Sequence, residues 1–391
     1  MITIGWLMLL LLLIIGLRLG GVSIGLLSGL GLGLLTFSVQ PTAPPNDLML
    51  LQTTWFLLMS TLEAAGFFYL LQTKLRACIE QVHYHYGFLI ALFCYGLVFL
   101  TGDKKWLQPS LCDQNGLHSD KARLFVPITI AAHMALLASP LSISGIPLIV
   151  VARNSGFPTL ALIGVIVATT VGLTMVSSLL ASLMPNKWLI PLCKEAQNPP
   201  QGNDEQVATV PTGKMKGLFV LLLLAALLFL VIKPESNRYT ELSGKIYPVR
   251  FPIFFALVML SIAAVVMLGL QIKPAKILQT HRFKLGIQQF FIFLGLTWLL
   301  DSLISHDKAY LIKMVGGGKA NYGCYLLTAL YMLLIDLPIV IWLFSALLIE
   351  QHCGIVPLAL SFVIVHSLAP IRWWVTSMVQ AYKNTGNFRK Q

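Results

Sequence analysis

Long apolar blocks, separated by short polar stretches, make up most of the 391-residue chain. A helix needs about 20 apolar residues to cross the hydrocarbon core of a bilayer. The pattern therefore predicts an all-α polytopic membrane protein with roughly 10–12 transmembrane or re-entrant helical segments. The apolar blocks fall near residues 2–17, 21–38, 48–72, 86–100, 124–138, 143–151, 158–184, 218–232, 251–272, 285–300, 324–349 and 355–370.

Two polar stretches interrupt or close these blocks. Residues 138–147 place Ser139, Pro140 and Ser142 between two apolar runs, and residues 297–302 close a later run. A freed backbone group is costly in hydrocarbon, so such a break survives only where protein buries it or where it lines a cavity. Broken helices of this kind mark solute sites in transporters. We therefore expect the Ser139-Pro140 break to lie deep in the protein.

A long polar segment divides the chain. Residues 185–216 include the run Pro-Pro-Gln-Gly at 199–202 and cannot bury a core, so they are predicted to form a soluble connecting loop. This loop separates an N-terminal transmembrane half, residues 1–184, from a C-terminal transmembrane half, residues 217–391. Because the two halves are similar in length and each consists mainly of apolar blocks, we expect a two-repeat transporter built from inverted repeats with broken helices.

The composition indicates that lipid is the main solvent of this chain. Hydrophobic residues make up 57% of it and charged residues 11%, with a mean hydropathy of +0.81, against about 25% charged residues in soluble domains. The net charge of +12 is explained by the positive-inside rule and by anionic lipid headgroups. An electropositive path for anionic solutes is the alternative. No nucleic-acid-binding motif accompanies the charge, so nucleic acid is not an expected partner.

The cysteines and histidines give no sign of a metal centre. The six cysteines are scattered, with no CxxC pair and no His-Cys spacing suited to zinc. His83 and His85 precede a span and are better explained by an interfacial aromatic belt than by a metal. Neither a metal nor a cofactor is therefore expected. The first apolar block lacks a basic leader and a cleavage signal, so we expect a retained helix and not a signal peptide.

Several motifs, in order along most of the chain, resemble those of the anaerobic C4-dicarboxylate transporters, which are bacterial inner-membrane exchangers of fumarate, succinate, malate and aspartate. The matching stretches are residues 18–26, 65–70, 72–75, 101–102, 138–142, 295–301 and 385–386. The chain departs from the family at Phe68, where an acidic residue is usual, and at residues 334–342, which lack a small polar break. It also lacks the acidic pair before Thr385. It is identified as a divergent member that stops at Gln391, before the final apolar span of the family.

The resemblance implies a substrate-binding set and no catalytic residues. An Arg guanidinium is the natural bidentate partner of a carboxylate, and the N-terminus of a broken helix favours an anion. We predict that Arg123, Ser139, Ser142 and Asp301 approach one cavity between the two halves. The full predicted set is Arg123, Ser139, Pro140, Ser142, Thr101, Gly102, Thr297 and Asp301.

Each of these residues also has a structural interpretation. The Ser-Pro break is alternatively a kink whose serines satisfy their own turn. Arg123 is alternatively an interfacial anchor, which is the favoured role of Arg153. Asp301 is expected either to coordinate a coupling cation or to cap the next helix, because acids at membrane depth usually face a cavity or a partner. Structural roles are equally open for the other ionisable residues in apolar runs, Glu63, Asp336 and His133.

The leading hypothesis is a secondary transporter that moves small organic anions, above all C4-dicarboxylates, by alternating access. It is expected as a multi-pass protein of the bacterial inner membrane, in contact with lipids. A coupling cation or proton and a homo-oligomeric state are left open. The alternative is a transporter-derived sensor or partner subunit that no longer transports. A membrane-embedded transferase is disfavoured, because no compact His/Asp or paired-acid motif is present, so we do not expect an enzyme.

Overall fold

The computed structural model describes residues 2–37, 40–81, 87–104, 107, 119–142, 145–146, 149, 152, 157–183, 212–232, 238–240, 246–315, 356, 359–360 and 363. Eleven helices account for most of these residues, which confirms the predicted all-α class. Their bounds are α1 Ile2–Leu19, α2 Ser23–Leu35, α3 Asn46–Ala64, α4 Phe67–Gln81, α5 Gly87–Thr101, α6 Ser119–Ala138, α7 Thr159–Leu183, α8 Thr212–Val231, α9 Phe251–Gly269, α10 Pro274–Gln279 and α11 His281–Val315.

A short antiparallel hairpin precedes α9. Its strands are β1 Arg238–Thr240 and β2 Ile246–Pro248, with Tyr239 opposite Tyr247. Two strands of this length do not change the fold class.

Three helical segments in the described part of the chain are long and apolar enough to cross a membrane, namely Thr159–Leu180, Phe251–Gly269 and His281–Asp307. A fourth is added if Asn46–Ala64 and Phe67–Leu75 count as one broken span. Large side chains on these and the shorter apolar helices remain uncovered, among them Leu7, Leu26 and Leu179. Exposed leucines on apolar helices are explained by contact with lipid, which fits a membrane protein.

The described helices fall into two compact units. The first unit, Met1–Ala65 with Val231–Thr328 and Leu337–Cys353, contains α1, α2, α3, α9, α10 and α11. The second, Gly66–Leu230 with Ala329–Asp336 and Gly354–Gln391, contains α4 to α8. The division of the chain into residues 1–184, 185–216 and 217–391 stays a prediction, although α8 begins at Thr212, inside the segment predicted as a loop.

In the first unit, α2 crosses α11 at two glycines. A Cβ added to Gly25 would meet the backbone of Phe291 and Ile292, and one added to Gly295 would meet the backbone of Gly25. Close approach of small residues is a main source of helix association in lipid, where apolar burial drives little. A buried apolar cluster of α1, α2 and α11 lies next to this crossing and consists of Leu9, Leu32, Leu35, Leu296, Leu299, Leu300, Leu303 and Ile304.

The predicted interruption at residues 297–302 is wrong as regards the backbone, because α11 runs without a break from His281 to Val315. Two of the polar side chains form hydrogen bonds without displacing the helix. Ser302 Oγ donates to Trp298 O, one turn earlier, at 2.8 Å. The indole Nε1 of Trp298 donates to Thr42 O at 2.7 Å. Asp301 therefore lies inside a helix and does not cap the next one.

In the second unit, α5, α6 and α7 pack together around a polar contact. The Tyr95 hydroxyl of α5 lies 2.8 Å from Thr170 Oγ1 of α7, and both residues are buried. Ala131, Met134 and Ala135 of α6 are fully buried, and α6 packs on both α5 and α7. This arrangement holds the C-terminal end of α6, where the polar break begins, inside the unit.

Candidate functional site

The break after α6 is buried, as the sequence predicts. Helix α6 ends at Ala138, one residue before Ser139, and Pro140 cannot donate the amide hydrogen bond that would continue the helix. Ser139 and Ser142 are 0% and 1% exposed. The backbone re-forms turns beyond the break, since Ser142 O accepts from the amides of Gly145 and Ile146 at 3.1 Å each.

The Ser139 hydroxyl fixes the break to the neighbouring helix. Its Oγ donates to Phe99 O of α5 at 2.6 Å and accepts from Leu141 N at 3.2 Å. These bonds support the structural interpretation of this serine, because its hydroxyl is already engaged with the backbone. Ser139 therefore positions the broken segment.

The Thr101-Gly102 turn packs directly on the break. Gly102 has φ +67°, a conformation that side chains disfavour. A Cβ at this position would lie 2.7 Å from Leu141 O and 3.0 Å from Ser142 N. Thr101 is fully buried and donates to Leu97 O at 2.9 Å. The structure thus brings together two motifs that lie about 40 residues apart in the sequence.

A lysine that the sequence analysis did not select lies beside this turn. Lys104 follows Gly102 by two residues, and its Nζ lies 2.8 Å from a ring nitrogen of His133 on α6. Lys104 is half-buried and the adjacent Asp103 is buried. The signal in the sequence was the run of three charged residues at positions 103–105.

Arg123 lies in α6, sixteen positions before Ser139. At a helical rise of about 1.5 Å per residue, their backbones are roughly 24 Å apart along the helix. The prediction that Arg123 shares a cavity with Ser139 stays a prediction.

Thr297 and Asp301 line a cavity in the first unit. Its volume is about 320 Å³, and Arg250 and residues 43–48 complete its lining. Across the cavity, Arg250 Nη1 lies 2.9 Å from Asp47 Oδ2. The prediction that Asp301 shares a cavity with Ser139 stays a prediction. The structure does not test the roles considered for Arg153, Asp336 and Thr385, because these residues lie outside the described part of the chain.

Glu63 has a structural role in the first unit. Its Oε2 accepts from the backbone N–H of Arg282 at 2.9 Å. Arg282 is the second residue of α11, so the carboxylate satisfies an amide that has no partner within the helix. Within the described residues, no group of three or more His, Cys, Asp or Glu side chains is placed to hold a metal ion.

Comparison with known proteins assigns the family. Residues 1–368 match the family model described as anaerobic C4-dicarboxylate membrane transporter. The chain is 22% identical over 331 residues to the C4-dicarboxylate transporter DcuA of Escherichia coli strain K12, covering 81% of this chain and 75% of that protein. The same values hold for the DcuA protein of Shigella flexneri. The chain belongs to this transporter family, which agrees with the prediction of a transporter and not an enzyme.

Proposed function

We propose that this member of the anaerobic C4-dicarboxylate membrane transporter family is a multi-pass secondary transporter of the bacterial inner membrane. Its solutes are C4-dicarboxylates such as fumarate, succinate, malate or aspartate, moved by alternating access. The observation that carries the proposal is the buried break at residues 139–142, held by the Thr101-Gly102 turn and flanked by Lys104. Family membership supports the solute class.

The charge of the solute sets what the site must provide. A dianion that leaves water needs positive charge or several hydrogen-bond donors, because an unpaired buried charge is very costly. The described amides of the break already have partners within the protein, so the positive charge has to come from a side chain. Lys104 supplies it next to the Gly102 turn, which packs on the break. His133, 2.8 Å from Lys104 Nζ, accepts a hydrogen bond from it when the imidazole is neutral.

Exchange in proteoliposomes tests this proposal. Vesicles loaded with succinate should take up external labelled fumarate, and Lys104→Gln should lower the initial rate by about tenfold or more, since each lost charge-assisted hydrogen bond contributes about 1.5–3 kcal/mol. Arg123→Gln removes a positive charge from α6 instead and tests the prediction from the sequence that this arginine belongs to the site. That prediction requires Arg123→Gln to lose exchange by about tenfold or more as well.

The pair of variants decides between two locations of the charge. Equal rates for Lys104→Gln and the wild type would remove Lys104 from the site. A loss of exchange in Arg123→Gln alone would place the charge at the arginine that the sequence predicts. Circular dichroism and size-exclusion profiles of both variants separate a loss of exchange from a loss of fold.

A second candidate is a membrane sensor or partner subunit that binds dicarboxylates without moving them. The observation that favours it is Phe68, which stands where the resemblance places an acidic residue. Phe68 is buried, with its ring centroid 5.5 Å from that of Phe67, so an apolar contact occupies this position. Saturable fumarate binding to the purified protein, without uptake under a proton, Na⁺ or solute gradient, would favour this candidate.

A further inference from the structure

The cavity in the first unit carries an unpaired polar group of its own. Thr297 lies on α11 and is 1% exposed, and its Oγ1 has no hydrogen-bond partner among the described residues. Other buried hydroxyls on helices of this unit bond to the carbonyl four residues earlier, as Thr54 does to Leu50 at 2.8 Å and Ser60 does to Phe56 at 2.7 Å. Leaving a buried hydroxyl unsatisfied costs about 1–3 kcal/mol, so the site is better explained with a ligand at Thr297.

Asp301 places a carboxylate in the same cavity. It follows Thr297 by four residues on α11, so both side chains lie on one face of the helix. Asp301 is half-buried, and among the described residues no ion pair or hydrogen bond engages its carboxylate. Both residues line the cavity of about 320 Å³. One helix face therefore carries a hydroxyl and a carboxylate beside the same cavity.

The charges around the cavity leave an excess negative charge. Asp47 is compensated twice, by Arg250 at 2.9 Å and by its position in the first turn of α3, where amides favour an acid. Asp301 has no such compensation among the described lining residues. A helix N-terminus contributes only about half an elementary charge, so the net field still favours a cation.

We propose that this cavity is a binding site for a monovalent metal cation, with Na⁺ as the ion it takes. Asp301 and Thr297 are its protein ligands, and water occupies the remaining volume. Carboxylate and hydroxyl oxygens are hard ligands, and divalent ions such as Ca²⁺ normally need more carboxylates than one. A role for this ion in driving transport rests on the proposed function, whereas its binding does not.

Thermal unfolding of the purified protein tests the binding without any dicarboxylate. A ligand that binds only the folded state raises the melting temperature in proportion to the logarithm of its concentration above Kd. We expect Tm to rise with NaCl but not with N-methyl-D-glucamine chloride at the same ionic strength. Retention of radioactive Na⁺ by the wild-type protein, measured by scintillation proximity, should saturate over the same concentrations.

Three variants and one control locate the ion. Asp301→Asn should lose the Na⁺-dependent shift, and Thr297→Val should weaken apparent affinity about tenfold, the loss of one good oxygen ligand. Thr297→Ser keeps the hydroxyl and should keep the shift. Thr54→Val is the matched control, because it removes a buried hydroxyl of the same unit that already has a backbone partner.

Several outcomes would overturn the inference. One is a wild-type protein that melts identically in the two salts and retains no radioactive Na⁺. Another is a Na⁺ shift that persists in both Asp301→Asn and Thr297→Val. A third is a fumarate-dependent shift that only Thr297→Val removes, which would assign the cavity to the anionic solute. If fumarate exchange proceeds while Na⁺ binding fails, the cation site is wrong and the proposed function stands.

Discussion

Replacing Gly102 by Ala should damage the site more than its small size suggests. The residue has φ +67°, which costs an L-residue about 1–2 kcal/mol. The new Cβ would also lie 2.7 Å from Leu141 O, which is a backbone atom that cannot rotate away. Overpacking of this kind costs about 1–3 kcal/mol, so we expect a total loss of about 2–5 kcal/mol.

Part of this cost should appear as a displacement of the break. Leu141 and Ser142 have to move if the turn is to hold a methyl group, and residues 139–142 would then leave their present contacts with α5. We therefore expect fumarate exchange in proteoliposomes to fall by about tenfold or more, because a 1 Å misplacement at a binding site is enough for such losses. Thermal unfolding in detergent measures the stability term separately.

Gly96 provides a control on the same helix. It lies inside α5, and a Cβ there would meet nothing within 4 Å. Gly96→Ala should therefore be neutral or should stabilise the protein by up to about 1 kcal/mol. Equal melting temperatures and equal exchange rates for Gly102→Ala and Gly96→Ala would refute the argument from the turn.

Three further predictions concern the first unit. Gly295→Ala should lower the melting temperature, because the added methyl group would meet the Gly25 backbone. Gly29→Ala is the control, since a methyl group there meets nothing within 4 Å, and equal melting temperatures for the two variants would contradict the close crossing of α2 and α11. Glu63→Ala should destabilise the start of α11 by about 0.5–2 kcal/mol, seen as faster amide hydrogen exchange there; unchanged exchange would show that the cap is dispensable. Trp6→Phe should cost about 1–3 kcal/mol, because the indole Nε1 donates to the buried Asp307 Oδ2 at 2.8 Å; a melting temperature equal to the wild type would argue against this bond.

The break at Ser139-Pro140 could be predicted from the sequence because two local rules agree there. Proline removes an amide donor, and a lipid-facing helix does not tolerate the gap. At residues 297–302 the helix continues without the expected break. Threonine, tryptophan and serine each keep their backbone amide, so these polar residues are compatible with an intact helix. The Trp298 side chain, for example, donates a hydrogen bond to Thr42 O.

The position of Lys104 at the candidate site could not be predicted from local pattern. Lys104 becomes a neighbour of the break only because Gly102 turns the chain onto Leu141. Such a contact depends on how α5 packs against α6, and local sequence pattern does not predict helix packing.

Helix α3 forms a polar contact with another element of the first unit near each of its ends. Glu63, near its C-terminus, holds the start of α11, and Asp47, in its first turn, holds the residue before α9. Two spin labels placed on α3 and α9 of the first unit should therefore report one narrow distance distribution, with and without dicarboxylate. If Asp47→Asn broadens this distribution, the ion pair with Arg250 is what fixes the spacing of the two helices.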